Sequence, residues 1–195
     1  MNHASCPLRT KFGNFQLHCF NWGEHEDENI ICLDARREDS LPLVRIQSAC
    51  FTAEIFRSLD CDCHEQLETS LKLISSEGGI LIYILRDGRG AGIFPKVMGL
   101  NLGAVEGLDT AEAYDRLGIP RDPREYSKVV QVLSELQISS VRLLTNNPRK
   151  IKGLEKAGIS VERVPLQIAP TSESRPYLNA KKSKLGHLFS HLDDA

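Results

Sequence analysis

The chain has 195 residues, of which 41% are hydrophobic, and 24 Lys or Arg against 26 Asp or Glu give a formal net charge of −2. This length predicts one domain over residues 1–195, with a polar C-terminal tail from about residue 170. The balanced charge favours neither nucleic acid nor an anionic membrane as a partner. Because there is no apolar run of membrane-spanning length and residues 1–15 lack a signal-peptide core, we expect a cytoplasmic protein.

The first half of the chain predicts strands followed by one helix. Short apolar or alternating runs at 12–20, 29–34 and 42–47 are typical of an antiparallel meander, with GEHEDE (23–28) as a solvated turn. From His64, apolar residues recur at helical spacing until SSEGG ends the helix. The apolar run GILIYILR (79–86) then has the length of a buried strand, and glycine-rich DGRGAG ends it.

The second half alternates helices and strands. We expect a helix at about 110–117, capped by Asp109 or Thr110, and a second at about 124–137. VRLLT (141–145) predicts a strand, and Pro148 opens a helix that ends at KAG. The last thirty residues predict a loop and a terminal helix. This order indicates an α/β fold, a three-layer core with an N-terminal antiparallel region.

Three cysteines lie close together in CFTAEIFRSLDCDCH (50–64): Cys50, Cys61 and Cys63. In a reducing compartment such a cluster is more typical of a metal site than of disulfides. Three thiolates leave a fourth position of a tetrahedral zinc open, as in catalytic sites. Two alternatives remain: a structural site completed by His64 or a distant Cys6, Cys19 or Cys32, and buried thiols without metal.

Basic residues beside predicted loops could bind an anionic ligand such as a polyphosphate, together with Mg²⁺ held largely by phosphate oxygens and water. They are Arg45, Arg86, Arg89, Arg124, Arg149 and Lys150. DGRGAG lacks both the dinucleotide-fingerprint spacing and the Walker lysine, which excludes a Rossmann or P-loop interpretation.

Four segments in the same order resemble the GTP cyclohydrolase II family, over about residues 10–188. RIQSACFTAEIFRSLDCDCHEQL is similar to the family's zinc segment, and DGRGAGI to its E-G-R-x-x-G loop. LDTAEAYDRLGIPRDPREY is similar to its D-T-x-E-A-N segment with the following D-x-R pair, and VRLLTNNPRKIKGLEKAGISVERVPL to its last motif. The resemblance implies the family's mixed-sheet fold and a homodimer. It also implies a cytoplasmic hydrolase of riboflavin biosynthesis that opens the guanine ring of GTP at C8, releasing pyrophosphate and formate.

The resemblance also implies roles for individual residues. Cys50, Cys61 and Cys63 would bind one Zn²⁺ with a water in the open position. Arg124 would be the nucleophile at the α-phosphate, and Asp122 the acid/base residue. The positions matched to GTP contacts, with Asp87 in place of the E-G-R glutamate, are Arg45, Gln66, Asp87, Arg89, Thr110, Thr145 and Lys150.

The sequence departs from the family pattern near these residues. Gln47 and Ala49 replace the histidine and glutamate of R-x-H-S-E-C, and His64 replaces the glycine after C-D-C. Leu100 takes the place of the active-site tyrosine. Two alternatives to the full reaction follow: a diverged enzyme that stops at a formamidopyrimidine nucleotide or uses another nucleotide, and a protein that binds zinc and nucleotide without turnover.

Overall fold

The computed structural model describes residues 1–23, 25–38 and 40–189. The strands of this part of the chain are β1 (Asn2–Thr10), β2 (Gly13–Asn21), β3 (Ile30–Asp34), β4 (Leu43–Ser48), β5 (Gly79–Ile84), β6 (Ser140–Leu144) and β7 (Ser160–Val164). Its helices are α1 (Phe51–Glu54), α2 (Cys63–Glu77), α3 (Ile93–Glu106), α4 (Thr110–Arg116), α5 (Ser127–Glu135), α6 (Pro148–Glu155) and α7 (Arg175–Leu185).

The chain forms two compact units. The first comprises Met1–Gln47, Leu67–Leu85 and Glu125–Leu166. The second comprises Ser48–Gln66, Arg86–Arg124 and the chain from Gln167. The expectation of one domain over residues 1–195 stays a prediction.

All seven strands of the described residues form one mixed sheet in the order β1-β2-β3-β5-β4-β6-β7. The pairs from β1 to β2, β2 to β3 and β3 to β5 are antiparallel, whereas β4–β6 and β6–β7 are parallel. The predicted α/β class, a mixed sheet with an N-terminal antiparallel region, is therefore confirmed.

The predicted place of the third early strand was wrong. The run at 42–47 does form β4, but β4 leaves the meander and lies between β5 and β6. The reason is burial: residues 43–47 are all buried, so this strand needs neighbours on both edges and cover on both faces. An outer strand of an antiparallel meander would have a neighbouring strand on one edge only.

The hydrophobic core of the first unit lies between the sheet and two helices. Strand residues of one face, such as Val44, Ile82 and Leu143, pack with Val129 and Leu133 of α5. Leu43 and Leu81, of opposite parity along their strands, are buried too. Both faces of the sheet centre are therefore covered, as a three-layer core requires.

The predicted helices all form, with small changes at their ends. Asp109, not Thr110, caps α4, because its side chain accepts hydrogen bonds from the backbone of Ala111 and Glu112. The predicted terminal helix is α7, and the tail beyond Phe189 lies outside the described residues, as does Glu24 of the predicted turn. β1, α1, α3 and β7 were not predicted. Among the described residues, no helix is long and apolar enough to cross a membrane.

Candidate active site

The second unit brings the three clustered cysteines together. Cys50 precedes α1, Cys61 lies in the following loop, and Cys63 begins α2. Their sulfurs all lie within 4.8 Å of one another, and those of Cys50 and Cys61 are 3.8 Å apart. Two sulfurs bound tetrahedrally to one zinc at about 2.3 Å would be separated by about 3.8 Å. The donor set and the distance between the Cys50 and Cys61 sulfurs therefore fit zinc.

The described residues offer this cluster no fourth protein ligand. His64 contacts Arg57, and no further histidine, cysteine or carboxylate joins the group. Cys32, one of the distant candidates, is buried in the core of the first unit. The geometry favours three protein ligands over a four-ligand structural site.

The three cysteines and Lys96 shift one another's pKa values. Hydrogen bonds from the Cys61 and Cys63 thiols, with help from the Lys96 ammonium, hold the pKa of Cys50 far below its usual value despite burial. The same interaction with Cys50 raises the pKa of Cys61 to about 11 and that of Cys63 well above its usual value.

Lys96 of α3 connects this cluster to the glycine-rich loop. Its Nζ donates to the Cys50 sulfur at 3.2 Å and to the Asp87 carboxylate at 2.9 and 3.2 Å. Burial lowers the pKa of Lys96, but the Cys50 sulfur and Asp87 outweigh it, so the pKa is raised. Asp87 also accepts from the backbone N–H groups of Phe51, at 2.8 Å, and Gly88.

A second largely buried ammonium belongs to Lys181 of α7. Its Nζ lies 3.6 Å from Asp62, which stands between two of the cysteines in the chain, and 4.2 Å from the ring centre of Tyr177. Burial lowers the pKa of Lys181, but Tyr177, Cys63 and Asp62 outweigh burial, so the pKa is raised. Gln66, a predicted GTP contact, donates to Asp62 at 2.6 Å.

The glycine-rich loop, residues 87–92, holds Arg89 between aromatic rings. The guanidinium lies 5.7 Å from the ring centre of Tyr114 and 5.9 Å from that of Tyr177. Tyr114 is buried, which raises its pKa, and its hydroxyl donates to the Gly88 carbonyl at 3.0 Å. Thr110, the remaining predicted GTP contact of the second unit, is partly exposed at the start of α4.

Asp122 and Arg124 form a bidentate ion pair. The Asp122 carboxylate accepts from Arg124 Nε at 2.7 Å and from Nη2 at 2.8 Å, while Nη1 lies 3.5 Å from Ser48 Oγ. Both side chains are largely buried. This fork geometry fixes the direction of the guanidinium.

The other predicted GTP contacts belong to the first unit, and their side chains lie near the carboxyl-terminal halves of two neighbouring parallel strands, β4 and β6. Arg45 of β4 donates to the Gln47 side chain at 2.7 and 3.0 Å and to the Leu144 carbonyl at 3.1 Å. Thr145 follows β6 and is buried. Lys150 of α6 donates to the Ile46 carbonyl at 2.7 Å. Such strand ends are common ligand sites in α/β proteins.

Sequence reasoning missed the two largely buried lysines, Lys96 and Lys181, and the contact of Tyr114 with the loop. Lys96 and Lys181 reach the cluster only through tertiary packing, and neither belongs to a recognisable motif. The fold and this site together define a class: a mixed α/β protein with a three-cysteine group that could hold a metal ion and a largely buried arginine–carboxylate pair.

Comparison with known proteins identifies the family. The profile of the GTP cyclohydrolase II family matches residues 2–165. GTP cyclohydrolase-2 of Hahella chejuensis is 43% identical over 98% of this chain and 94% of its own, and that of Picrophilus torridus is 40% identical over 96% and 98%. Riboflavin biosynthesis protein RibBA of Aquifex aeolicus is 43% identical over 95% of this chain, which spans only 47% of that protein.

The chain belongs to the GTP cyclohydrolase II family, a family of hydrolytic enzymes. Among solved structures, a two-domain 3,4-dihydroxy-2-butanone 4-phosphate synthase from A. baumannii, RibBX, aligns with 85% of this chain and 39% of its own. The TM-score is 0.47 and the sequence identity 15%.

Proposed function

We propose that the protein is a zinc-dependent cyclohydrolase of riboflavin biosynthesis, which hydrolyses GTP at C8 of guanine and releases pyrophosphate and, in the full reaction, formate. The observation that carries this proposal is the zinc-like spacing of Cys50, Cys61 and Cys63 in a chain of this family. Zinc held by three thiolates would supply a Lewis acid with one open coordination position.

Arg124 is the proposed nucleophile at the α-phosphate. One guanidinium nitrogen would form a bond to phosphorus while the bond from phosphorus to the bridging oxygen breaks and pyrophosphate leaves. Asp122, which already binds two nitrogens of Arg124, would accept the proton that the attacking nitrogen loses. The same carboxylate keeps the guanidinium aimed before the reaction.

The assignments to the nucleotide rest on the resemblance. They are Arg45, Thr145 and Lys150 in the first unit, and Gln66, Asp87, Arg89 and Thr110 in the second. The cationic groups among them suit phosphate oxygens, and Mg²⁺ would accompany the triphosphate. Because the Asp87 carboxylate is occupied by Lys96 and backbone N–H groups, its contribution to the nucleotide site would be indirect.

A second outcome of the reaction has its own support. Leu100, in the place of the family's tyrosine, is 43% exposed and offers no hydrogen-bond donor. The Tyr114 hydroxyl already donates a hydrogen bond to the Gly88 carbonyl. An enzyme without a hydroxyl at position 100 would release the ring-opened formamidopyrimidine nucleotide before the formyl group is hydrolysed.

We also propose a homodimer. Several large apolar side chains of α3 are exposed, among them Phe94 at 74% and Val105 at 75%. A helix so apolar on its exposed side is typical of a surface covered by a partner. The family resemblance makes a second copy of this chain the expected partner.

Mass spectrometry of the product from GTP, with separate assays of pyrophosphate and formate, tests the proposed reaction. Arg124→Ala should abolish pyrophosphate release, whereas Arg121→Ala, at an exposed arginine of the same segment, should retain it. Zinc-depleted protein should release pyrophosphate slowly and leave the purine absorption spectrum unchanged. Pyrophosphate release by Arg124→Ala would remove this arginine from its role. Nucleotide and zinc binding without any product would instead indicate the non-catalytic alternative.

A further inference from the structure

The Cys50 sulfur and the Asp87 carboxylate, both in the second unit, share one cation. The Lys96 ammonium contacts the Cys50 sulfur at 3.2 Å and both oxygens of Asp87 at 2.9 and 3.2 Å. The Lys96 side chain is 14% exposed and that of Asp87 only 2%. A carboxylate so deeply buried needs a cation and hydrogen bonds close by, since it has little access to water.

Asp87 also binds the backbone next to Cys50 directly. One of its oxygens accepts from the backbone N–H of Phe51, the residue directly after Cys50, at 2.8 Å. The side chain of Cys50 is therefore bound through Lys96, and the backbone beside it is bound directly. The glycine-rich loop is therefore bound to Cys50, one of the three proposed metal ligands.

The charges make Lys96 more than a packing residue. Three thiolates on one divalent cation leave a net charge of −1, and the Asp87 carboxylate adds another negative charge next to Cys50. With Lys96 removed, no ammonium would stand between that carboxylate and the sulfur. Loading the cluster with metal would then place two anionic groups side by side in a poorly solvated region.

We propose that Lys96 is a positioning residue of the metal centre: its ammonium, held by Asp87, donates a charged hydrogen bond to Cys50 and maintains that sulfur as a metal ligand. This inference rests on the proposed zinc site. A hydrogen bond to a ligating thiolate withdraws electron density from the sulfur, so Lys96 also makes the bound ion a stronger Lewis acid. Neighbours that orient a metal ligand commonly change metal affinity by about 10–100-fold.

Zinc affinity, measured by competition with a chromophoric chelator on the full chain, tests the proposal. Lys96→Met should bind zinc about tenfold more weakly or worse, and Lys96→Arg should keep most of the affinity because it keeps the charge. The matched control is Lys72→Met, which removes a 65% exposed lysine from α2. The double variant Asp87→Asn/Lys96→Met should bind zinc more tightly than Lys96→Met alone, because neither buried charge remains.

Cobalt gives a signature that a purely structural role would not produce. In the Co²⁺-loaded protein, loss of the hydrogen bond to Cys50 should shift the sulfur-to-cobalt charge-transfer band to longer wavelength in Lys96→Met but not in Lys72→Met. Unchanged zinc affinity together with an unshifted band in Lys96→Met would overturn the proposal. If Lys96→Met does not fold, Asp87→Asn is compared with the double variant, since the two differ only in the ammonium; identical bands would then overturn it.

Failure of the proposed function would look different. If the unaltered protein bound neither zinc nor cobalt, the metal centre itself would be wrong and Lys96 would lose its role with it. If the unaltered protein bound zinc, and all lysine variants bound it equally and left the cobalt band unshifted, the zinc site would stand and only the role of Lys96 would fall.

Discussion

Gly90 is placed so that a single methyl group would press on the proposed nucleophile. Its φ is +89°, and a Cβ built there would lie 3.1 Å from Arg124 Cγ and 3.7 Å from the Arg124 backbone. Gly118, in the same unit, also has a positive φ, +68°, but a Cβ there would meet no atom within 4 Å. Alanine at the two positions therefore shares the backbone strain and differs in the contact with Arg124.

The expected magnitudes follow from this geometry. Alanine at a positive φ costs about 1 kcal/mol or somewhat more, which lowers the midpoint of thermal unfolding by about 2–4 °C in a chain of this size. Both variants should show this loss. In Gly90→Ala alone, Arg124 must also move by a few tenths of an ångström. Because its guanidinium is held at two nitrogens by Asp122, we expect pyrophosphate release to fall about tenfold.

The assay compares pyrophosphate release from GTP in the two variants, with thermal unfolding of each as the measure of stability. Equal release rates for Gly90→Ala and Gly118→Ala would refute the reasoning, because they would show that the position of Arg124 does not limit the reaction. If both variants unfolded at a lower temperature but released pyrophosphate at the same rate, the substitutions would have only the destabilising effect of backbone strain.

Three further outcomes are expected. Elemental analysis should find about one zinc per chain. The zinc should be lost in Cys61→Ser and Cys63→Ser and retained when serine replaces Cys6, Cys19 or Cys32. Loss of zinc from any of the latter three variants would contradict the three-cysteine site. Leu100→Tyr should raise the yield of formate, because a hydrogen-bond donor to an oxyanion contributes about 2.7–4 kcal/mol in other enzymes, or about a hundredfold or more in rate. Stoichiometric formate from the unmodified protein would contradict this expectation. Light scattering should show a dimer that Phe94→Glu weakens, and a monomer across micromolar concentrations would be evidence against it.

Local signals predicted most elements, but they did not place every strand. The Asp109 cap, the Pro148 helix start and the alternating runs of β2 and β3 are each readable within a few residues. The neighbours of β4 depend instead on burial over the whole sheet, which its sequence does not specify. The helix α3 was missed because IFPKVMGLNLGAVE is apolar almost throughout and lacks the polar face that reveals a helix period.

The candidate site divides in the same way. The cysteine spacing indicated a metal, and the resemblance supplied roles for Asp122 and Arg124. The partners of these groups could not be predicted, because Lys96 and Lys181 come from distant parts of the chain and meet the cluster only after folding. A charged residue in an apolar helix, such as Lys96 in α3, is the one sequence signal that could have pointed to a buried partner.

The departures from the family pattern differ in whether the structure gives them partners. Gln47, in place of a histidine, accepts two hydrogen bonds from Arg45, so the proposed phosphate contact stays oriented. Asp87, shorter than the family's glutamate, still binds Lys96 and two backbone N–H groups. Leu100 gains no such replacement, since its side chain can neither donate nor accept. The groups proposed for metal and phosphate thus keep their support, whereas the proposed hydrolysis of the formyl group lacks a donor at position 100. Any change in chemistry should therefore concern formate release before it concerns ring opening or the loss of pyrophosphate.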